Sequence, residues 1–188
     1  MTIRAIRRDI AIEKMADHLL AKGLEAATLR PLAEAVGTSD RMLLYYFADR
    51  DELLSATLEH IAVRLAARLD ALVPGDVRRP LAQLLAEVWP ELTSDELKPY
   101  MDIWLNLSAR ACGGHEPYRR IAGAIADTFL AWTSERIAGR TQAAREESAQ
   151  LLIAALNGMF VLHAIGRHGA ANGALANLLT QAPPLPFA

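Results

Sequence analysis

The segment from residue 28 to residue 47 constrains the fold most, because it contains two short helical patterns separated by one glycine. Thr28 is a favourable N-cap for the first of these two helices. Its apolar residues lie on one face at the spacing i, i+3, i+4 and i+7: Leu29, Leu32, Ala33 and Val36. Gly37 ends that helix after two turns, and Ser39 caps a second short helix that reaches about Phe47. Two short helices joined by a glycine turn are typical of a helix-turn-helix, whose second helix fits the major groove of DNA.

The rest of the chain also shows helical periods and helix-ending residues, without extended β-rich runs. Hydrophobic residues make up 52% of the 188 residues, and the abundant alanine and leucine both favour helices. Gly23 ends the first predicted helix, and Asp49 opens the fourth with an Asp-x-x-Glu capping box that ends at Glu52. Further helices are predicted at about residues 80–89, 93–112, 117–138, 143–165 and 174–180. We predict an all-α fold, with a three-helix head at residues 1–50 and a helical body at residues 51–188.

The charge pattern places a weak positive excess at the N-terminus of a chain whose formal net charge is −2. Residues 1–50 carry eight Lys and Arg against seven Asp and Glu, whereas residues 51–188 carry twelve against fifteen. Three arginines precede the first acidic residue: Arg4, Arg7 and Arg8. They could reach a DNA backbone or minor groove, or they could be solvated.

Several features predict a cytoplasmic protein without a membrane segment. A single cysteine, Cys112, excludes an internal disulfide and fits a reducing compartment. No apolar signal region follows Met1. The most apolar stretch, residues 151–165, is shorter than the roughly 18–20 residues that span a bilayer, and polar residues interrupt it. The proline-rich residues 183–186 predict a disordered tail.

Particular residues of the first third of the chain recur in one known family. They are an opening helix followed by Gly23, Thr28, Leu32-Ala33, Gly37, Ser39, the run Leu44-Tyr45-Tyr46-Phe47, and Asp49-Arg50-Asp51-Glu52-Leu53. With this pattern, residues 6–58 resemble the TetR family of bacterial transcriptional regulators. The chain departs from the family pattern at Arg41-Met42, where Gly-Thr is frequent, at Leu44, where tyrosine is frequent, and at Arg50, where lysine is frequent. Beyond Leu58 the likeness is limited to length, helicity and order.

The resemblance implies a homodimer that binds a palindromic operator in double-stranded DNA, commonly as a repressor. It also implies that a small-molecule effector releases the protein from DNA, with no cofactor or metal. The expected DNA contacts are Thr28, Ser39, Asp40, Arg41, Tyr45, Tyr46 and Arg50.

The candidate DNA contacts differ in the part of the DNA that each side chain is expected to bind. Arg41 is the candidate base reader, because a guanidinium can bond both O6 and N7 of guanine, although a phosphate contact is an open alternative. Arg50 opens the fourth helix, where free backbone N–H groups favour a phosphate. One of the two adjacent tyrosines is expected to bond a phosphate while the other packs against the first helix. Ser39 and Thr28 are helix caps first and phosphate contacts second. On the same helix we expect the apolar side chains to pack inward: Met42, Leu43 and Phe47.

Two predicted helices of the body, at residues 117–138 and 143–165, are candidates for dimerisation. The second is apolar nearly all round, so most of its sides must be covered. The resemblance implies a four-helix bundle across a two-fold axis, and the expected contacts are Ile121, Ile125, Leu152, Leu156, Met159, Phe160 and His163. The alternative is that these residues close the core of a single chain.

An aromatic-rich middle of the chain is a candidate effector pocket. Its residues are Trp89, Tyr100, Met101, Trp104, Phe129 and Trp132. Small-molecule sites are mostly apolar clefts, but aromatic residues at helical spacing are also ordinary core.

The sequence offers little support for an enzyme. It contains no phosphate-loop glycine pattern, no Gly-x-Ser-x-Gly and no His-Glu-x-x-His. His163 and His168 are five residues apart, which does not place them on one helix face. A helical adaptor that binds another protein and no DNA is the remaining alternative to a regulator.

Overall fold

The computed structural model of the chain describes residues 2–181, and the proline-rich tail predicted at residues 183–186 lies outside the described residues. Within residues 2–181 the chain forms α-helices and one 3-10 turn at Leu24–Ala26. The helices are α1 (Ile3–Lys22), α2 (Leu29–Val36), α3 (Asp40–Tyr45), α4 (Arg50–Leu72), α5 (Leu81–Leu92), α6 (Lys98–Cys112), α7 (Tyr118–Arg136), α8 (Gln142–Ala164) and α9 (His168–Gln181). The described residues form no strand, only an isolated bridge between Arg79 and Ile137. The all-α prediction is therefore confirmed.

Capping bonds explain why most helix limits agree with the predicted ones to within a few residues. The Thr141 hydroxyl accepts a hydrogen bond from the Ala144 N–H at 3.1 Å and starts α8. The helix predicted from about residue 93 begins later, at Lys98. Thr93 instead ends α5, where its hydroxyl donates to the Trp89 carbonyl oxygen at 3.0 Å, and Ser94 accepts from the Leu97 N–H at 3.3 Å.

The last helix is twice as long as the sequence predicts. It begins at His168 rather than near residue 174, and it tolerates Gly169 and Gly173 in its interior. Glycine normally lowers helix stability by about 0.8–1.0 kcal/mol relative to alanine, which is why the pattern predicts a later start. Packing on α8 offsets this cost, since Ala171 of α9 is fully buried.

The chain divides into two compact units that do not follow the predicted boundary after residue 50. The first unit contains Met1–Leu65 together with Pro99–Ile125. In it, α1 packs on α2 and α2 packs on α3. Its largest fully buried side chains are Met15, Leu19, Leu32, Leu43, Leu53, Leu58, Leu107 and Ile121.

The second unit contains Ala66–Lys98 and Ala126–Ala188. Here α8 and α9 pack against each other and both contact α5. Its largest fully buried side chains are Leu84, Leu85, Ile137 and Leu152. Among residues 2–181 no helix is both long and apolar enough to cross a membrane.

Candidate nucleic-acid interface

The turn between α2 and α3 depends on Gly37. Its φ of 83° and ψ of 39° are left-handed, a conformation that glycine adopts without steric cost. The Gly37 N–H donates to the Glu34 carbonyl oxygen at 3.1 Å, and the Thr38 N–H donates to the Ala33 carbonyl oxygen at 2.9 Å. These are the two bonds of a Schellman motif, which satisfies the last carbonyl groups of α2 while the chain changes direction. The predicted helix-turn-helix is therefore present.

One face of the short helix α3 is buried and the other is open to solvent. Leu43 is fully buried and Phe47 nearly so, as predicted. The inward placement of Met42 is wrong, since its side chain is 46% exposed. Met42 and Leu43 are adjacent, and neighbouring residues on a helix point about 100° apart, so only one of them can face the core.

The exposed side of α3 carries the polar residues that the sequence singled out. Ser39 caps the helix, its hydroxyl accepting from the Met42 N–H at 3.2 Å. Asp40 and Arg41 in the first turn are both exposed. Tyr45 is 61% exposed at the last turn, whereas Tyr46 is half-buried with its ring edge-on to the Tyr45 ring at 5.8 Å between centroids.

Arg50 is presented at the start of α4 by a capping box. The Asp49 carboxylate accepts from the Glu52 N–H at 2.7 Å, and the Glu52 carboxylate accepts from the Ala48 N–H. The bond from Ala48, followed by the bond from Arg8, lowers the pKa of Glu52. The box fixes the first turn of α4 and leaves the Arg50 side chain exposed beside it.

Two of the N-terminal arginines are held by the head rather than left free. Arg4 donates to the Tyr45 carbonyl oxygen at 3.0 Å, and its guanidinium lies 5.1 Å from the centre of the Tyr45 ring. Arg8 pairs with Glu52 at 2.9 Å and stands 5.0 Å over the ring of Phe47. The contact of Arg4 joins the start of α1 to the end of α3 and fixes positive charge next to the exposed tyrosine, whereas Arg8 joins α1 to α4.

Thr28 occupies the N-cap position of α2 with an extended backbone, but its side chain makes no capping hydrogen bond. The apolar stripe that follows Thr28 predicted that this residue is the N-cap, but it did not predict that the side-chain capping hydrogen bond is absent. Its exposed hydroxyl is therefore not used by the helix.

The segment that contains the helix-turn-helix is also the one that matches a known protein family. Residues 14–57 match the family model described as "Bacterial regulatory proteins, tetR family". Over almost the whole chain, the fold matches that of a TetR-family regulator from Cytophaga hutchinsonii, with a TM-score of 0.71 and 18% identity over 96% of this chain and 94% of that one. Residues 14–57 are thus similar to the TetR family of bacterial regulatory proteins.

The chain is also similar to two curated transcriptional regulators and to a further solved structure. It is 28% identical to the HTH-type transcriptional regulator PksA of Bacillus subtilis over 50% of this chain and 45% of PksA. It is 29% identical to the HTH-type transcriptional regulator BetI of Burkholderia mallei over 63% of this chain and 60% of BetI. The chain thus spans about half of the length of these curated relatives. The multidrug binding protein EbrR, solved with imidazole, has the same fold with a TM-score of 0.70 and 24% identity, over 100% of this chain and 96% of EbrR.

The seven predicted DNA contacts all lie in the first unit, at the N-cap of α2, on α3 and its two caps, and at the start of α4. The six predicted effector contacts are divided instead. Tyr100, Met101 and Trp104 belong to the first unit, and the second unit holds the remainder: Trp89, Phe129 and Trp132. Trp132 is already engaged, because its indole N–H donates to Asp70 at 2.6 Å and Arg136 stacks on its ring.

The predicted dimer contacts are mostly core residues of the single chain. Six of the seven are buried in it: Ile121, Ile125, Leu152, Leu156, Met159 and Phe160. The seventh, His163, is half-buried. A side chain already covered by its own chain has little surface left for a second copy, so the alternative of an intrachain core describes these six residues.

Two side-chain contacts within the first unit were not predicted from the sequence. One joins α6 to the 3-10 turn, and the other joins α7 to α4. Arg110 of α6 pairs with Glu25 of the 3-10 turn at 2.6 Å, which raises the pKa of Arg110. Arg120 of α7 donates to the Ser55 hydroxyl of α4 at 3.0 Å. The partners are 85 and 65 residues apart, so no local spacing could have indicated them.

Proposed function

We propose that this protein is a DNA-binding transcriptional regulator, a repressor that binds a palindromic operator as a homodimer and is released by a small apolar effector. The observation that supports this most strongly is the exposed polar face of α3, held by the Gly37 turn and bordered by Arg50. A protein that acts on bacterial genes works in the cytoplasm.

The proposed contacts follow from position and chemistry. Arg41, in the first turn of α3, enters the major groove and reads guanine. Arg50 and Tyr45 bind phosphates on either side of the groove, with Arg50 assisted by the N-terminus of α4. Thr28 supplies a free hydroxyl to the backbone, while Ser39 serves mainly as the cap of α3.

Binding of the full chain to the DNA flanking its gene should separate base reading from phosphate anchoring. Arg41→Ala should lose about 1–3 kcal/mol of preference for the operator over unrelated DNA, because one bidentate base contact is removed. Arg50→Ala should weaken binding to all sequences alike and reduce the salt dependence. Fluorescence anisotropy titrations over a series of salt concentrations measure both quantities.

The matched control for these titrations is Arg119→Ala, which removes an exposed arginine of α7 and should leave DNA binding unchanged. Absence of DNA binding even at low salt would contradict the regulator proposal and favour the protein-binding adaptor. Equal losses in Arg41→Ala on operator and unrelated DNA would show that Arg41 contacts a phosphate only.

We propose that the second copy packs on the outward face of α8, opposite the core residues. This face is apolar along four turns, at Leu151, Ala154, Gly158, Val161 and Ile165, all of them exposed. Leu151 and Ile165 are 55% and 66% exposed, which is unusual for large apolar side chains that line one helix face. A two-fold dimer also matches the symmetry of a palindromic operator.

Val161→Glu should disrupt this dimer. It places an unpaired carboxylate on each copy near the interface, and desolvation of the charge should weaken dimerisation by at least about 100-fold. Sedimentation velocity over a dilution series measures the change. Val63→Glu is the matched control, because Val63 of α4 is also an exposed valine and is not part of the proposed face. A dimer that tolerates Val161→Glu, or a wild-type chain that is monomeric, would contradict the proposed interface.

The effector proposal rests on the aromatic residues of the middle helices. In the first unit, the proposed effector contacts are three residues of α6. Tyr100 and Met101 are buried, and Trp104 is half-buried. Trp89 is buried and Phe129 half-buried in the second unit, whereas Trp132 serves the Arg136 cluster. The structural relative EbrR, a multidrug binding protein, has been solved with proflavin, a flat aromatic molecule of the kind such residues accommodate.

A further inference from the structure

Two histidines meet at the junction of α8 and α9. The Nδ1 atoms of His163 and His168 are 3.1 Å apart, and the ring centroids are 4.4 Å apart with the planes at 71°. Residues five apart in one continuous helix would point in different directions, so the pair exists only because the chain turns between them. Both residues belong to the second unit.

The backbone of the turn fixes this pair. Gly166 has a φ of 78°, which favours glycine. Its N–H donates to the His163 carbonyl oxygen at 3.0 Å, and the Arg167 N–H donates to the Leu162 carbonyl oxygen at 2.7 Å. These bonds form a Schellman motif that ends α8 and directs α9 back along it. The separation of the two imidazoles is therefore set by secondary structure as well as by side-chain rotamers.

Aromatic neighbours fix the orientation of one imidazole. The His163 ring lies nearly parallel to Phe160, with centroids 6.2 Å apart at 23°, and meets Trp89 edge-on at 6.0 Å and 89°. His163 is half-buried, whereas His168 is exposed. The pair thus has one ordered, partly desolvated member and one member that is open to solvent.

We propose that His163 and His168 form a binding site for a divalent late transition-metal ion such as Zn²⁺ or Cu²⁺. Imidazole nitrogens bind such ions at about 2.0–2.1 Å, so two of them at adjacent positions on one ion are about 3 Å apart. The two Nδ1 atoms share a hydrogen bond at 3.1 Å, a separation that agrees with this requirement, and a bound ion would take the place of the shared proton. Imidazole ligands favour zinc, copper and nickel over magnesium and calcium, which prefer oxygen.

The site has two protein ligands, and water completes the coordination. Among the described residues, no group of three or more His, Cys, Asp or Glu is arranged to hold a metal ion. An open two-histidine site binds reversibly and stabilises the folded chain according to metal concentration. Its two ligands belong to the second unit and the proposed DNA contacts to the first, so the site can be tested independently of the proposed regulatory function.

Calorimetric titration of the untagged full chain with Zn²⁺ at about pH 7.5, where most histidines are neutral, tests the proposal. The expected result is one saturable site per chain. His163→Gln and His168→Gln should each weaken it by at least about tenfold, because each leaves a single imidazole ligand. His115→Gln is the matched control and should leave the affinity unchanged, since His115 is an exposed loop histidine.

His163 is half-buried, so His163→Gln could also affect folding. A second measurement therefore relies on the wild type and on His168→Gln. Electron paramagnetic resonance of the Cu²⁺-loaded wild type should show hyperfine coupling to two nitrogens, and His168→Gln, altered at an exposed residue, should show one. The proposal is overturned if wild type binds no Zn²⁺ saturably, if His168→Gln binds as tightly as wild type, or if the wild-type spectrum shows fewer than two nitrogens.

Discussion

Arg136→Ala is expected to lower the free energy of unfolding by about 3–5 kcal/mol, since it removes a buried guanidinium together with its three hydrogen bonds and its packing on Trp132. The guanidinium side chain is only 8% exposed. It donates to Asp70 at 2.6 Å and to the carbonyl oxygens of Val73 and Trp132 at 2.9 Å each. It also stacks on the Trp132 ring, with its central carbon 4.2 Å from the ring centre.

This arginine joins the end of α4 to the end of α7, so its loss should act on the second unit as a whole. Thermal and urea unfolding followed by circular dichroism measure the change, which should lower Tm by roughly 6–20 °C for a chain of this size. Arg136→Lys should recover only part of the stability, because an ammonium lacks the planar fork that reaches three acceptors.

Arg140→Ala is the matched control for this prediction. Arg140 follows α7 in an exposed turn, and its replacement should change the free energy of unfolding by less than about 0.5 kcal/mol. If Arg136→Ala and Arg140→Ala unfolded at the same urea concentration as wild type, the buried cluster would contribute no net stability.

Leu43→Ala is expected to lower the free energy of unfolding by about 2–5 kcal/mol and to abolish the proposed DNA binding at temperatures at which the wild type is still folded. Leu43 is fully buried in the first unit. α3 has only six residues, and isolated helices of that length do not persist in water. The orientation of its exposed face therefore depends on the packing of this one side chain together with Phe47.

The neighbouring Met42 provides the control on the same helix. Met42→Ala removes an exposed side chain and should change stability by less than about 0.5 kcal/mol. Urea unfolding combined with DNA titration at matched temperature compares the two variants. Equal destabilisation by both would show that α3 is rotated about its axis relative to the structure described here.

The contrast between these two residues shows how far the sequence predicts the head. The caps and turns were predictable, because the Gly37 turn, the Ser39 cap and the Asp49–Glu52 box each depend on residues within about five positions. Of the apolar stripe predicted for α2, Leu32 and Ala33 are buried, whereas Leu29 and Val36 are half-buried. In α3, with three apolar residues in a row from Met42, the stripe is too wide to show which one faces the core.

In the body, the same reasoning predicted the helices but not their partners. α8 is apolar on nearly all sides, so its sequence cannot distinguish the face that packs inside the chain from the face left exposed. The structure places Leu152 and Leu156 inside and Leu151 and Val161 outside. For the effector contacts, the aromatic pattern does not reveal that Trp132 is held by Asp70 and Arg136.

The sequence by itself determined most of the helices, the Ser39 cap and the left-handed turn at Gly37, because these depend on short-range hydrogen bonds and backbone sterics. Only the tertiary structure decided which apolar face is buried, where Arg136 finds its acceptors, and that His163 and His168 meet. Those contacts join residues that are distant in the chain or separated by a turn. Their energies depend on three-dimensional packing, which no local spacing of residue types specifies.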